Sequence, residues 1–309
     1  MAMWKTLSFG LLGIASLSII SPDSWVSLPV NAQLTSPPGP EVSPAPVKPD
    51  SSSPMPERVV TSLLKLAEVS QDDVLYVLGA GDGQLAIAAA QTYQPKRIVV
   101  IDPDPELLQQ SQANAQKAGL GDRIQFLQQD PLQSDLREAS VVSISLPSEK
   151  GQKIRSKLLA DLRPGSRIVA YGMSMGDWKP DKSISVSRSS QQNLYHWIVP
   201  ASVEGDWEGS LEYASGRRYP YTLRFSQQFQ KVKGDVIVDG QKYNIPKIAL
   251  TGDRLTFSRT ENIQGQTITA VFNGRIQGNT LKGIAQLDAG ILSRKFPVIA
   301  RRSTRQAVQ

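Results

Sequence analysis

From Pro56 onward the apolar positions fall into two regimes. Val59, Val60, Leu63, Leu64 and Ala67 recur three and four apart, which predicts a helix with one buried face. Residues 75–78 form a continuous apolar run, as expected for a strand buried on both sides, and residues 84–93 return to helical spacing. The alternation continues with a strand at 98–101 and a helix at 104–118 that has Pro105 early and Gly119 as its stop. Strands at 124–127 and 140–146, a helix at 149–162 and a strand at 166–171 follow. Strands alternating with helices predict a parallel sheet covered on both faces. Runs at 184–188 and 194–199 have no helix between them and predict an antiparallel hairpin that closes the sheet. After Pro200 the period drops to two. Short alternating runs recur at 211–213, 221–225, 234–238, 247–250, 254–258, 267–272, 280–287 and 295–299. Asp239-Gly240, Gly252-Asp253, Asn273-Gly274 and Gly278-Asn279 are the turn signals between them. About eight strands with close turns predict an antiparallel barrel or sandwich.

The segment before Pro56 is different. Lys5, an apolar stretch over 7–20 and the small residues Val30-Asn31-Ala32 read as a secretory signal over residues 1–32. Cleavage there sends the chain to the periplasm or outside the cell; retention makes the same stretch a membrane anchor. No later segment is long and apolar enough to span a bilayer. Residues 33–55 are rich in Pro and Ser and read as an extended linker. The expected organisation is therefore signal 1–32, linker 33–55, an α/β domain 56–200, an antiparallel β domain 201–305 and a tail 306–309.

Composition removes several chemistries. The chain of 309 residues has no cysteine and one histidine, His196, so disulfides, a thiol nucleophile and a multi-histidine or cysteine metal site are excluded. No metal site is expected. The net charge is +6, and the excess of Lys and Arg lies in residues 203–309. Arg217, Arg218, Arg224, Lys231, Lys233 and Arg254 are candidates for a surface that meets an anionic polymer or lipid. No nucleic-acid motif with stacking aromatics accompanies them.

The chemistry concentrates where the first strand ends. Gly79-Ala80-Gly81-Asp82-Gly83 joins that strand to a helix, and glycines there let a ligand approach the backbone closely. About 20 residues on, the second strand ends at Asp102, where a carboxylate can accept both hydroxyls of a ribose. A helix-start role for Asp102 is the structural alternative. The dinucleotide fingerprint needs a small residue at position 84, and Gln84 is there instead.

The G-x-G-x-G loop with an acidic second strand end resembles the class I S-adenosylmethionine-dependent methyltransferases. Pro56-Glu57-Arg58-Val59-Val60, Ile101-Asp102-Pro103-Asp104-Pro105-Glu106-Leu107, Asn114-Ala115, Asp122-Arg123-Ile124 and Leu162-Arg163-Pro164-Gly165 extend the resemblance over residues 56–200. It implies a Rossmann-like sheet and S-adenosylmethionine as cofactor. It implies that Gly79, Ala80, Gly81, Asp82 and Gly83 pass the methionine and sugar, that Asp102 and Pro103 hold the ribose, and that Asp130 and Pro131 lie near the adenine. The methyl acceptor, a protein or a small molecule, is left open, and Tyr171 and Asp177 are the candidate catalytic residues. Three positions depart from the family pattern. Val77 stands where an acid is usual, the fourth strand ends in Ser143-Ile144-Ser145-Leu146-Pro147, and Ala170-Tyr171 replaces a Ser-His pair of related bacterial sequences. Because the cofactor is kept in the cytoplasm, export and these departures together imply a second reading. In it a retired methyltransferase fold carries a binding β domain. Translation from Met55 would instead leave the enzyme in the cytosol.

Two smaller signals complete the expectations. Gly172-Met173-Ser174-Met175-Gly176 matches a serine-hydrolase elbow, but Asp177-Trp178-Lys179-Pro180 opposes the helix it needs, and His196 reads as a packed strand residue. Gly205-Asp206-Trp207 opens the β domain and Arg301-Arg302 closes it. This is similar to the lipocalin-like arrangement, with an arginine packed on a tryptophan at the barrel floor.

Overall fold

Helix α1 (Glu57–Leu66) buries Val59, Val60, Leu63 and Leu64, as their spacing requires. It packs over the first sheet, whose strands are β1 (Val74–Leu78), β2 (Arg97–Asp102), β3 (Ile124–Gln128), β4 (Val141–Ile144), β5 (Arg167–Tyr171), β6 (Lys182–Ser185) and β7 (Asn193–Ile198). Helices α2 (Gln84–Thr92), α3 (Pro105–Lys117) and α4 (Gly151–Asp161) connect the parallel strands. The computed structural model describes residues 55–146, 151–186, 193–212, 218–263 and 265–303, all within one compact unit, Lys48–Gln309. The expected signal, the linker up to residue 54 and the tail 306–309 lie outside the described residues. So do Pro147, Arg188 and Arg217. Among the described residues no helix is long and apolar enough to cross a membrane.

The strand order is β3-β2-β1-β4-β5-β7-β6. β1 to β5 are parallel, and β7 inserts antiparallel between β5 and β6. The expected closing hairpin is thus present, with its second strand inside the sheet. Two apolar clusters cover the faces. Alternation sends Leu75 and Val77 to the side of α1 and α2, and Tyr76 and Leu78 to the side of α4. At the amino edge, buried Asp73 gathers Ser140 Oγ at 2.7 Å, Ser70 N at 2.7 Å and the Arg167 guanidinium. These bonds pin β1, β4 and β5 to one another.

His196 sits in β7 between Val169 and Lys182, 2% exposed, and among the described residues neither ring nitrogen has a hydrogen-bond partner. Burial pushes its pKa below the usual imidazole range, and Lys182 adds to the shift. The folded state therefore holds the ring neutral, while the unfolded chain binds a proton below about pH 6.5. Its contribution is full above that pH and is lost as the pH falls through it. A plot of melting temperature against pH is expected to fall less steeply below pH 6.5 in His196→Leu than in the parent chain.

The second sheet has nine antiparallel strands. They are β8 (Gly205–Glu212), β9 (Arg218–Gln228), β10 (Lys231–Val238), β11 (Gln241–Asn244), β12 (Lys247–Thr251), β13 (Arg254–Ile263), β14 (Gln266–Gln277), β15 (Thr280–Ala289) and β16 (Leu292–Arg302). Their order is β11-β10-β9-β8-β16-β15-β14-β13-β12, and the sheet curls into a half-barrel around Trp207, Leu223, Phe225, Leu255, Phe272 and Leu281. The structure corrects two expectations. It adds the short strand β11, too polar to show an alternation. It also places Asn273-Gly274 inside β14 rather than in a turn. Gly274 faces Gly283 across the ladder, and a Cβ on either would overlap the Phe272 ring, so these glycines make room for an aromatic.

Trp207 is fully buried and Arg302 lies over its ring at 4.4 Å, as expected from the sequence. Arg302 also donates to the carbonyls of Ser202, at 2.7 Å, and Glu204, while Trp207 Nε1 donates to Val203 O at 2.9 Å. Arg302→Ala removes the stacked cation and leaves two carbonyls without it. The expected cost is about 1–3 kcal/mol, read as a lower urea midpoint.

The half-barrel rests on the α/β sheet through Phe229, in the β9–β10 turn. Phe229 stacks on Trp178 with centroids 5.9 Å apart, and Arg155 lies 5.4 Å from its ring centroid. Gln230 Nε2 donates to Lys179 O at 2.8 Å, and Ala201 N donates to Gly252 O at 2.8 Å.

Candidate cofactor and acceptor site

Beyond Leu78 the chain turns through Gly79 at φ 95°, Gly81 at φ 51° and Gly83 at φ 82° into α2. These are backbone conformations that side chains oppose. A Cβ on Gly79 would overlap the Ser145 carbonyl, so the carboxyl ends of β1 and β4 close together only because the residue is glycine; Ser145 N donates to Leu78 O at 2.8 Å. A Cβ on Gly83 would stand 2.5 Å from Ser111 Oγ in α3. Gly81 differs from both: a Cβ there meets nothing within 4 Å. The middle of the loop therefore faces open space at the carboxyl edge of the sheet, where open α/β sheets take their ligands.

Asp102 ends the neighbouring strand and is 6% exposed. Its Oδ2 accepts from Ala80 N at 2.6 Å and its Oδ1 from Asp104 N at 2.9 Å. The carboxylate thus fixes the glycine loop and keeps a further lone pair on each oxygen. Capping α3 falls to Asp104, whose Oδ1 accepts from Glu106 N at 2.9 Å and Leu107 N at 3.3 Å. Pro103 lies exposed between the two acids. Asp82 is half-buried; its Oδ1 accepts from Gln84 N at 3.1 Å and its carbonyl from Asn114 Nδ2 at 2.9 Å. Sequence reasoning assigned neither Asn114 nor Ser111 to the loop. The signals present were their place on the helix that follows the acidic strand end and, for Asn114, its part in the family resemblance.

After β3, Asp130 closes a turn: its Oδ1 accepts from Leu132 N at 3.0 Å and its carbonyl from Gln133 N at 2.9 Å. Pro131 is buried behind it, and Gln129 N donates to Asp102 O at 3.2 Å. Because β1, β2 and β3 are adjacent and parallel, Gly79 to Gly83, Asp102, Pro103, Asp130 and Pro131 share one edge.

Tyr171 ends β5 at the same edge, half-buried, and burial pushes its phenol above the ordinary range. Asp177 is in another setting. It is exposed in the turn closed by the Met175–Trp178 bridge, on the loop that leads away to β6. Among the described residues no hydrogen bond ties it to the glycine loop or to Asp102. Val77 is buried with Val100 and Leu85, so its position offers no carboxylate beneath the loop. The residues fit the sugar half of an adenosyl ligand through Asp102 and the open Gly81; an anion for an ammonium group has to come from elsewhere, and Asp82 is the acid within the loop itself.

The hydrolase signature finds no support. Ser174 is exposed, no helix follows it, and His196 is buried in the sheet. The basic residues expected to form an anion surface are partly neutralised. Arg218 pairs with Glu212 at 3.0 Å and Arg224 with Asp206 at 2.7 Å.

A mostly parallel sheet of order 3-2-1-4-5-7-6, closed by an antiparallel β7 and with a glycine loop clamped to an acid at the second strand end, defines a class I S-adenosylmethionine-dependent methyltransferase. The family model of the ANTKMT methyltransferase domain matches residues 78–182. A protein-lysine N-methyltransferase of Saccharolobus islandicus is 32% identical over 146 residues, covering 47% of this chain and 91% of the relative. A ribosomal protein L11 methyltransferase of Pseudoalteromonas atlantica is 27% identical over 139 residues, 44% of this chain and 43% of the relative. Among solved structures, an RNA methyltransferase from Salinibacter ruber in complex with S-adenosyl-L-homocysteine is 38% identical, covers 49% of this chain and 96% of that one, and superposes with a TM-score of 0.46. The chain belongs to the S-adenosylmethionine-dependent methyltransferases, and S-adenosylmethionine is its cofactor.

Proposed function

We propose that this chain transfers a methyl group to the side-chain amine of a lysine in a protein. The likeness to the Saccharolobus protein-lysine N-methyltransferase, of which the chain covers 91%, carries this reading. In it, Asp102 accepts the ribose hydroxyls, the Gly79 to Gly83 backbone faces the sugar and methionine, and Asp130 and Pro131 flank the adenine. The cofactor supplies a methyl group made electrophilic by a positively charged sulfur. The chain has to hold the amine in line with that methyl once its ammonium proton has passed to solvent, so that the N–C bond would form as the S–C bond breaks and S-adenosylhomocysteine leaves, and alignment alone supplies a large rate gain. Tyr171 is the residue assigned to the acceptor side. Its raised phenol pKa keeps it protonated at neutral pH, so it orients the amine by hydrogen bonding and does not act as a base. Asp177 has no role in this reading.

The test is transfer of radiolabelled methyl to a total protein extract, followed by acid hydrolysis and amino-acid separation. Label in methyl-lysine, absent with Asp102→Ala, is the expected result. Label recovered in nucleic acid, in another amino acid or in small molecules would reject lysine as the acceptor.

A further inference from the structure

Exposed large aliphatic side chains are not scattered over the described residues. They are Ile184, Ile284, Ile291, Leu292 and Ile299, and four of the five belong to one hairpin, β15–β16. The hairpin lies in the middle of the nine-stranded sheet, between β14 and β8, so these residues do not protect or extend a sheet edge.

The pairing register sorts them into two groups. Leu281, Val298 and Ala300 point into the half-barrel core. The pairs Lys282–Ile299, Ile284–Pro297 and Gln286–Lys295 alternate with them and share the outer, convex face. There Ile284 is 52% and Ile299 54% exposed, beside exposed Pro297, Lys282, Lys295 and Arg301. At the tip Gly290 turns with φ 60°, Ile291 is wholly exposed and Leu292 is 61% exposed. Ser293 follows, and then exposed Lys295 on the outer face with Ile284 and Ile299, while Arg294 takes the face of Val298 and Ala300. Asp288 is the one acid of this hairpin, and its carboxylate accepts hydrogen bonds from Gln286 and Ser293.

An aliphatic turn and, farther along the same hairpin, an aliphatic island flanked by Lys282, Lys295 and Arg301 have a defined physical complement. The surface is convex, so it does not cradle a peptide or a small ligand. A bilayer accepts protruding aliphatic side chains at the acyl boundary and places anionic phosphates level with the cations. We infer that the β15–β16 hairpin docks on an anionic lipid bilayer. Ile291 and Leu292 enter the boundary region, and Lys282, Lys295 and Arg301 meet the headgroups. The inference rests on the half-barrel alone and stands apart from the acceptor of methyl transfer.

The absence of cysteine makes a local test clean. Leu292→Cys in the full chain carries a single environment-sensitive fluorophore at the tip, and Gln110→Cys, exposed on α3, carries the same label as a control. Vesicles of phosphatidylcholine with phosphatidylglycerol are expected to blue-shift the tip label and leave the control unchanged, whereas phosphatidylcholine alone leaves both unchanged. Lys282→Glu combined with Lys295→Glu is expected to move the titration to about tenfold more lipid or beyond. Attachment through another part of the chain would bring vesicles close without burying the tip label. No shift at the tip, an equal shift with neutral vesicles, or an equal shift at the control would overturn the inference. A tip response to polyglutamate but not to anionic vesicles would also overturn it, and would assign the face to an acidic protein.

Discussion

Asp102→Ala is expected to weaken S-adenosylhomocysteine binding by about 100-fold or more. Two losses combine. The ligand loses a charge-assisted acceptor for its ribose hydroxyls, worth about 1.5–3 kcal/mol. The glycine loop loses the 2.6 Å bond from Ala80 N and with it the geometry that presents Gly81 to the ligand. Asp102→Asn keeps one carbonyl oxygen but turns a donor toward either Ala80 N or Asp104 N, so it is expected to fall between alanine and the parent. Calorimetric titration of the three proteins gives the order directly. Equal affinity in Asp102→Ala would mean that the ribose is held elsewhere.

The second large effect separates two glycines of one loop. Gly79→Ala forces a Cβ into the Ser145 carbonyl at a φ of 95°, between the ends of two central strands. A methyl group cannot be accommodated there without parting β1 from β4, so the expected result is insoluble protein or a melting temperature lower by more than about 10 °C. Gly81→Val places its side chain in space that no protein atom occupies. Its cost is that of a positive φ, about 1–2 kcal/mol, and the protein is expected to fold. The same side chain fills the space assigned to the ligand, so binding is expected to vanish in a folded protein. Circular dichroism melting and ligand titration on the pair test both statements. A folded Gly81→Val that binds as well as the parent would place the ligand away from the loop.

Much of this architecture was legible because the relevant signals are local. The run 75–78, the glycines after it and the acid at the end of the next strand lie within one βαβ unit, so spacing alone brings Asp102 beside Ala80. Trp207 and Arg302 were legible for another reason, since the first and last strands of the β unit, β8 and β16, pair with each other. What escaped depends on cross-strand contacts. Asn273-Gly274 reads as a turn until Phe272 is seen to need the space above Gly274 and Gly283. Asp102 and Asp104 both suit a helix start, and only the hydrogen bonds divide the work, with Asp104 capping α3 and Asp102 holding the loop. Asp177 follows Tyr171 closely in sequence, yet the loop carries it into an exposed turn. The aliphatic face of β15–β16 follows from which way each strand faces, which alternation suggests but curvature and neighbouring strands decide.

Calorimetric titration of the full chain with S-adenosylmethionine and S-adenosylhomocysteine decides whether the Gly79 to Gly83 loop and Asp102 hold the cofactor. One site per chain with micromolar affinity, lost in both Asp102→Ala and Gly81→Val, is the predicted result. No binding at millimolar ligand in a folded protein would contradict it, and would mean that Val77 in place of an acid leaves this methyltransferase fold without its cofactor.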